Sequence, residues 1–237
     1  RARELEPRRA PQKAKTMTTG QIDTSNQTPD PRDPPAPPPF VPYGKTPRWS
    51  DAVATVLITE KIDGANVHVV VPQDPTEPLL VGSRTRWITP GKTTDCYNFA
   101  AWVAENEAAV RLLGRGRHDG EWWGHGIGRG YDCAPGERFW SLFDARRWVC
   151  NPHAAAVLHD VNAVSRGVIR AVPLLRHGEY DGQVIELVRE GMRRTGSLAR
   201  LGYMRPEGVV LDFHGKRLSV KRSEERRVGK ECLRLCR

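Results

Sequence analysis

Two apolar, β-branched runs, Thr55 to Thr59 (TVLIT) and Ala65 to Val71 (ANVHVVV), are separated by only five residues, Glu60-Lys61-Ile62-Asp63-Gly64. No other feature constrains the fold so strongly. The first run reads as a short buried strand. The second alternates, with Val67, Val69 and Val71 on one face and Asn66, His68 and Val70 on the other. A tight strand-turn-strand then makes Lys61 close a buried apolar strand, a place lysine rarely takes. Partial desolvation there favours the neutral amine, a nucleophile, although Glu60 and Asp63 oppose that shift. Taken alone, a lysine in such a turn reads first as a surface cation.

Further along, Phe99, Trp102, Val103, Val110 and Leu113 recur at helical spacing and predict a helix over Tyr97 to Leu113, ended by Gly114. Val184, Leu187, Val188 and Met192 predict a second from about Glu179 to Arg193. Phe139 to Phe143, Val168 to Leu174, Gly208 to Phe213 and Leu218 to Lys221 read as strands. Helices and strands mix without a regular βαβ repeat, so the fold class is α+β with mainly antiparallel sheets and flanking helices.

The 237 residues suffice for one core with a small appendage. No run approaches the length of a membrane-spanning helix, and the basic N-terminus lacks the apolar stretch of a secretory signal. Five scattered cysteines (Cys96, Cys133, Cys150, Cys232, Cys236) form no CxxC pair and point to a reducing cytoplasm. His118, His153, His159 and Cys133 have no zinc spacing, so no structural zinc is expected. The formal charge of +9 suggests a nucleic-acid partner, yet residues 1–16 carry +4 of it and residues 222–237 carry +3, which leaves +2 for the middle.

Both ends are read as foreign to the folded part. Met17 begins a natural start, MTTGQ, after a basic stretch, and seven prolines between Pro29 and Pro39 mark a disordered or polyproline leader through residue 42. The domain is expected from Tyr43 to Lys221. Arg222 to Cys232 (RSEERRVGKEC) reads as the translation of a sequencing adaptor, so no function is credited to residues 222–237.

Glu60 to Val67 (EKIDGANV) resembles the nucleotidyl-lysine motif of the covalent nucleotidyltransferases: ATP-dependent DNA and RNA ligases and mRNA capping enzymes. Gly82 to Trp87 (GSRTRW) looks like their next motif. Gly120 to Gly124 (GEWWG) with Gly126 to Tyr131 (GIGRGY) is similar to the third in its RNA-ligase form. Trp140 to Asp144 (WSLFD), Met204 to Leu211 (MRPEGVVL) and Val220-Lys221 resemble the remaining three, in order. The resemblance covers Tyr43 to Lys221 and points to the ATP-dependent RNA ligase family that includes phage-type RNA-repair ligases.

That resemblance implies a lysyl-AMP intermediate on Lys61, with ATP and Mg²⁺ (or Mn²⁺) required. The implied partner is RNA bearing a 5′-phosphate and a 3′-hydroxyl, with no membrane and no obligate protein partner. Lys221 and Arg84 would meet phosphate, Glu121 the ribose hydroxyls, and Glu207 the metal. Glu60 would help read adenine through side chain or main chain, and Asn66 would orient a phosphate or a metal-bound water. Trp140 would stack on adenine, with Phe139 as its neighbouring candidate and a plain core aromatic as the other reading. Arg86, Arg129 and His125 would touch RNA or pyrophosphate, and Trp122-Trp123 would support Glu121.

One departure matters. The last motif should read Lys-x-Lys, but Ser223 stands where the second lysine belongs. A DNA ligase, a capping-type enzyme and an inactive nucleotide- or RNA-binding fragment are the competing readings.

Overall fold

Lys61 ends β1 (Thr55–Lys61) at the point where the chain leaves one sheet for another. A computed structural model describes residues 39–42, 55–91, 93–181, 183–213 and 216–221. The basic N-terminus, most of the proline-rich leader, Tyr43 and the adaptor-like tail with Ser223 lie outside the described residues. The five-residue turn does not close a hairpin, because β2 (Ala65–Val71) starts in the other sheet. Ile62 crosses between the two and is buried with Trp123, Tyr131 and Tyr203, so the crossing point is packed rather than solvated.

The first sheet runs in the order β7 (Leu174–Glu179), β1, β8 (Gly208–Phe213), β9 (Lys216–Lys221), antiparallel throughout. The second runs β3 (Leu80–Ser83), β2, β4 (Gly116–Gly124), β5 (Arg138–Leu142), β6 (Ile169–Ala171), with only β5 and β6 parallel. This is the mixed α+β class with antiparallel sheets that the pattern predicts.

Strand alternation divides the second sheet into two faces. Val67, Val69, Trp122, Trp140 and Leu142 face a core built with α1 (Phe99–Glu105), α2 (Glu107–Arg111) and α4 (Pro152–Val164). Burying each valine or phenylalanine there contributes roughly 1.5–3 kcal/mol. The other face carries Asn66 and Glu121, which are directly paired. The first sheet buries Val56, Ile58 and Val209 with Val184 and Met192 of α5 (Val184–Thr195). The short α3 (Ala145–Trp148) follows β5, capped by the Asp144 carboxylate.

Several elements differ from expectation. The single helix over Tyr97 to Leu113 is two helices broken at Asn106, whose side-chain amide donates to the Trp102 carbonyl and competes with the ladder. Tyr97 and Asn98 are left-handed and lie outside it. The expected strand Val168 to Leu174 is divided between β6 and the start of β7. The leader does not run free through residue 42: Phe40 packs against His68 and Trp87, so the folded unit includes residues before Tyr43. Among the described residues, no helix is long and apolar enough to cross a membrane.

Candidate active site

Gly208 builds the site's centre. Its two cross-strand partners are Lys61 on β1 and Lys221 on β9, and directly opposed residues put their side chains on the same face. A Cβ at Gly208 would overlap the Val220 carbonyl, so glycine is required for the β8–β9 approach. The preceding residue, Glu207, therefore receives both lysines: Lys61 Nζ lies 2.5 Å from Oε2 and Lys221 Nζ 3.6 Å from Oε1. The Glu207 side chain is 6 % exposed and that of Lys61 25 %.

The opposite wall comes from the second sheet. Glu121 accepts the Gly64 backbone N–H at 3.0 Å. Gly64 admits no side chain, since a Cβ would lie 2.5 Å from the Trp122 carbonyl oxygen. Burial pushes the Glu121 carboxyl up to about 8; Lys61 pulls it down and Glu207 pushes it further up. Asn66 Oδ1 is buried and finds no hydrogen-bond partner among the described residues, as befits an atom aimed at a ligand. Arg84 reaches the rim from the tip of a tight turn in which Ser83 N donates to the Arg86 carbonyl at 2.8 Å. Asp63 donates its N–H to the Tyr131 hydroxyl and pairs with Arg129 at 3.3 Å, which ties the turn down.

The two walls enclose a cavity of about 570 Å³, within the range of small-molecule sites. Lys61, Asn66, Arg84, Glu121, Glu207 and Lys221 thus converge from sequence-distant motifs. Its apolar side is formed by Phe143, Ala145, Val172 and Val210.

Trp140 lies away from the cavity, and the Glu60 carboxylate is already engaged, which leaves the main-chain half of its expected role. Trp140 is 0 % exposed and packs 5.3 Å from Phe99 in the core, because strand parity turns it away from Glu121. The cavity's aromatic residue is Phe143, three positions on; Phe139 packs on Trp123 with the Arg170 guanidinium over it. Glu60 borders the cavity, yet its carboxylate is occupied: Ser197 Oγ donates at 2.5 Å, Leu198 N at 2.8 Å and Ala199 N at 3.0 Å. Its own N–H donates to the Pro173 carbonyl. The Glu60 side chain therefore clasps a loop and has no free oxygen pair for a base. Trp122 is buried in the core behind Glu121, and Trp123 is buried on the Glu121 face, where its Nε1 donates to Ser141 Oγ at 2.9 Å. Arg86 and His125 are exposed and do not line the cavity.

The donor set suits a nucleotide better than a bare ion. Among the described residues, no three His, Cys, Asp or Glu side chains converge as a ready-made metal site. A Mg²⁺ ion does not need one, since it commonly takes one or two carboxylates, waters and substrate phosphate oxygens. Glu207 and the orphaned Asn66 carbonyl fit that demand, and the two lysines with Arg84 fit phosphate.

The chain matches the family model described as RNA ligase over residues 54–229. No curated protein matches it. Among solved structures it is similar to a mutant of Naegleria gruberi RNA ligase with ATP and Mn, at 17 % identity and a TM-score of 0.50, over 73 % of this chain and 50 % of that one. A second mutant of the same ligase, with AMP and Mn, gives 16 % identity and a TM-score of 0.49 over 73 % and 51 %. The chain thus spans about half the length of these proteins, and at this identity the first likeness speaks for the fold.

Proposed function

The chain belongs to the RNA ligase family, and on that premise we propose that it seals RNA ends at the expense of ATP through an adenylylated Lys61. The observation that carries the reading is the pair of lysines on one buried carboxylate, Lys61 at 2.5 Å and Lys221 at 3.6 Å from Glu207. Lys61 Nζ attacks the α-phosphorus, an N–P bond forms, and the bond to the bridging oxygen breaks to release pyrophosphate. Glu207, already in contact with that ammonium, holds the proton the amine sheds. The RNA 5′-phosphate then takes AMP from Lys61, and the 3′-hydroxyl of the other end displaces AMP to form the phosphodiester.

Charge builds on phosphate oxygens throughout, and Lys221 and Arg84 border the space where it does. Phe143 and Val210 offer apolar faces for the base, and Glu121 an acceptor for ribose hydroxyls. A divalent ion, when bound beside Glu207 and Asn66, supplies further neutralisation of phosphate charge. The solved Naegleria ligase with ATP and Mn supports this choice of nucleotide and metal.

Label transfer from α-labelled ATP with Mg²⁺ tests the proposal. The full chain should take an acid-labile, alkali-stable label that Lys61→Ala abolishes, and should seal nicked RNA in preference to nicked DNA. A folded protein that takes no label, even after Ser223→Lys restores the missing lysine, would sink the reading in favour of nucleotide binding alone. Labelling from GTP instead of ATP would favour a capping-type enzyme.

A further inference from the structure

The segment Pro39–Pro42 sits on the same sheet face as the site, one residue pair beyond it. The register runs Asn66 with Glu121, His68 with Asp119, then Val70 with Arg117. Phe40 covers His68, with ring centres 5.5 Å apart, and meets Trp87 edge-on at 5.2 Å; His68 and Trp87 are themselves 5.3 Å apart. The Arg117 guanidinium donates to the Val41 carbonyl and also pairs with Asp119, which ties the segment to β4. Flanking prolines at 39 and 42 fix the backbone on both sides and lower the entropy lost on docking.

Trp87 is what connects this cluster to the chemistry. It forms the bridge to Gly82 that closes the turn carrying Arg84, and Ser83 N to Arg86 O is the turn's inner bond. Gly82 in turn lies flat on His68, where any Cβ would overlap the imidazole. Arg84 and Thr85 at the tip are exposed, so the base of the turn is what fixes the backbone from which the guanidinium extends. His68 is fully buried, and its ring nitrogens find no hydrogen-bond partner among the described residues; ring packing alone keeps it in position. Such packing is sensitive to loss of one partner, because a gap forfeits contacts on every side.

We infer that Phe40, delivered by the end of the proline-rich leader, is a positioning residue for Arg84, acting through the His68–Trp87 pair. The inference rests on the reading of the cavity as a phosphate-handling site. Its consequence is that the leader's last residues belong to the catalytic unit, and that a chain begun at Tyr43 retains the strands yet loses Arg84's aim.

A double-mutant cycle in the full chain tests it, with Phe40→Ala, Phe40→Tyr, Arg84→Ala and Phe40→Ala/Arg84→Ala. Label transfer, sealing of nicked RNA and thermal melting are read for each. Phe40→Ala should raise the KM of the step that Arg84→Ala impairs by about 10-fold with a much smaller change in kcat. Phe40→Tyr, which keeps the ring, should recover most of that loss. In the Arg84→Ala background, Phe40→Ala should add less than about twofold, as expected of residues acting in series. Should Phe40→Ala melt too low to assay, Phe40→Leu takes its place in the cycle. Multiplicative losses, or wild-type kinetics in a folded Phe40→Ala, would overturn the inference while leaving the site's reading intact. A folded chain that takes no label even with Ser223→Lys would remove both.

Discussion

Lys61 and Glu207, 146 positions apart in sequence, meet at 2.5 Å because β8 runs between the strands that end in the site's two lysines. The carboxylate is nearly buried and carries both cations, so its charge is needed before any substrate arrives. Glu207→Gln keeps the shape and removes the charge. Label transfer to Lys61 should fall by about 10²-fold, the scale for losing one preorganised electrostatic partner. Glu207→Ala should also lower the melting temperature, since Lys61 and Lys221 then face each other without an anion. A Gln variant that labels at the wild-type rate would remove Glu207 from the mechanism.

Trp140 and Phe143 make a matched pair of aromatic truncations with opposite expected outcomes. Trp140→Ala empties a fully buried core position and should cost ~3–5 kcal/mol of stability. Phe143→Ala should leave melting much less affected and raise the KM for ATP by about 3- to 10-fold, the worth of an aromatic stack. Melting curves beside ATP titrations of label transfer separate the two. Nucleotide binding that fails in Trp140→Ala at full stability would return that residue to the site.

The Trp140 misassignment shows where sequence stops being sufficient. Lys61, Asn66, Glu121 and Glu207 stand out because each lies in a motif that carries the family resemblance, and the fold brings all four to one cavity. Trp140 and Phe143 sit in the same motif, WSLFD, and only strand parity separates them. The parity was readable in principle: Trp140 and Leu142 form the apolar face, and Ser141, paired with Glu121, marks the polar one. The change of sheet after Lys61 was not readable, since alternation shows which face is buried and not which strand is the neighbour. Helix α4 is not among the expected elements, although Asn151-Pro152 spells its start: Asn151 Oδ1 accepts from His153 N, and proline opens the first turn. Glu60's clasp on residues 197–199 joins segments 137 and more positions apart and left no local trace.

Glu60 should behave as a structural residue in solution. Removing its carboxylate orphans the Ser197 hydroxyl and the Leu198 and Ala199 N–H groups, each costing ~1–3 kcal/mol if left buried and unpaired. Glu60→Ala should therefore lower the melting temperature by several degrees and leave the preference for ATP over GTP unchanged. A shift in that preference at unchanged stability would restore the base-reading role.

Four titratable groups set opposing pH slopes. Burial, with Arg117 adding to it, drops His68 to about 4 from 6.5. Burial also drops His118 to about 4, with Arg147 adding to it, despite its bond to the Gly114 carbonyl. Below pH 6.5 the unfolded chain takes up protons that the fold refuses until about 4. Stability present above 6.5 is therefore lost as pH falls through that window, by up to ~3 kcal/mol per histidine. Glu60 and Glu121 act oppositely, since burial raises both. For Glu121, raised to about 8, stability present below 4.5 is lost as pH rises towards 8. Glu121→Gln should thus raise the melting temperature at pH 8 and have little effect near pH 5, and His68→Gln should flatten the acid limb. Melting measured from about pH 4 to 8.5 decides it, and curves for Glu121→Gln and wild type that run parallel across the range would refute the assignment to Glu121.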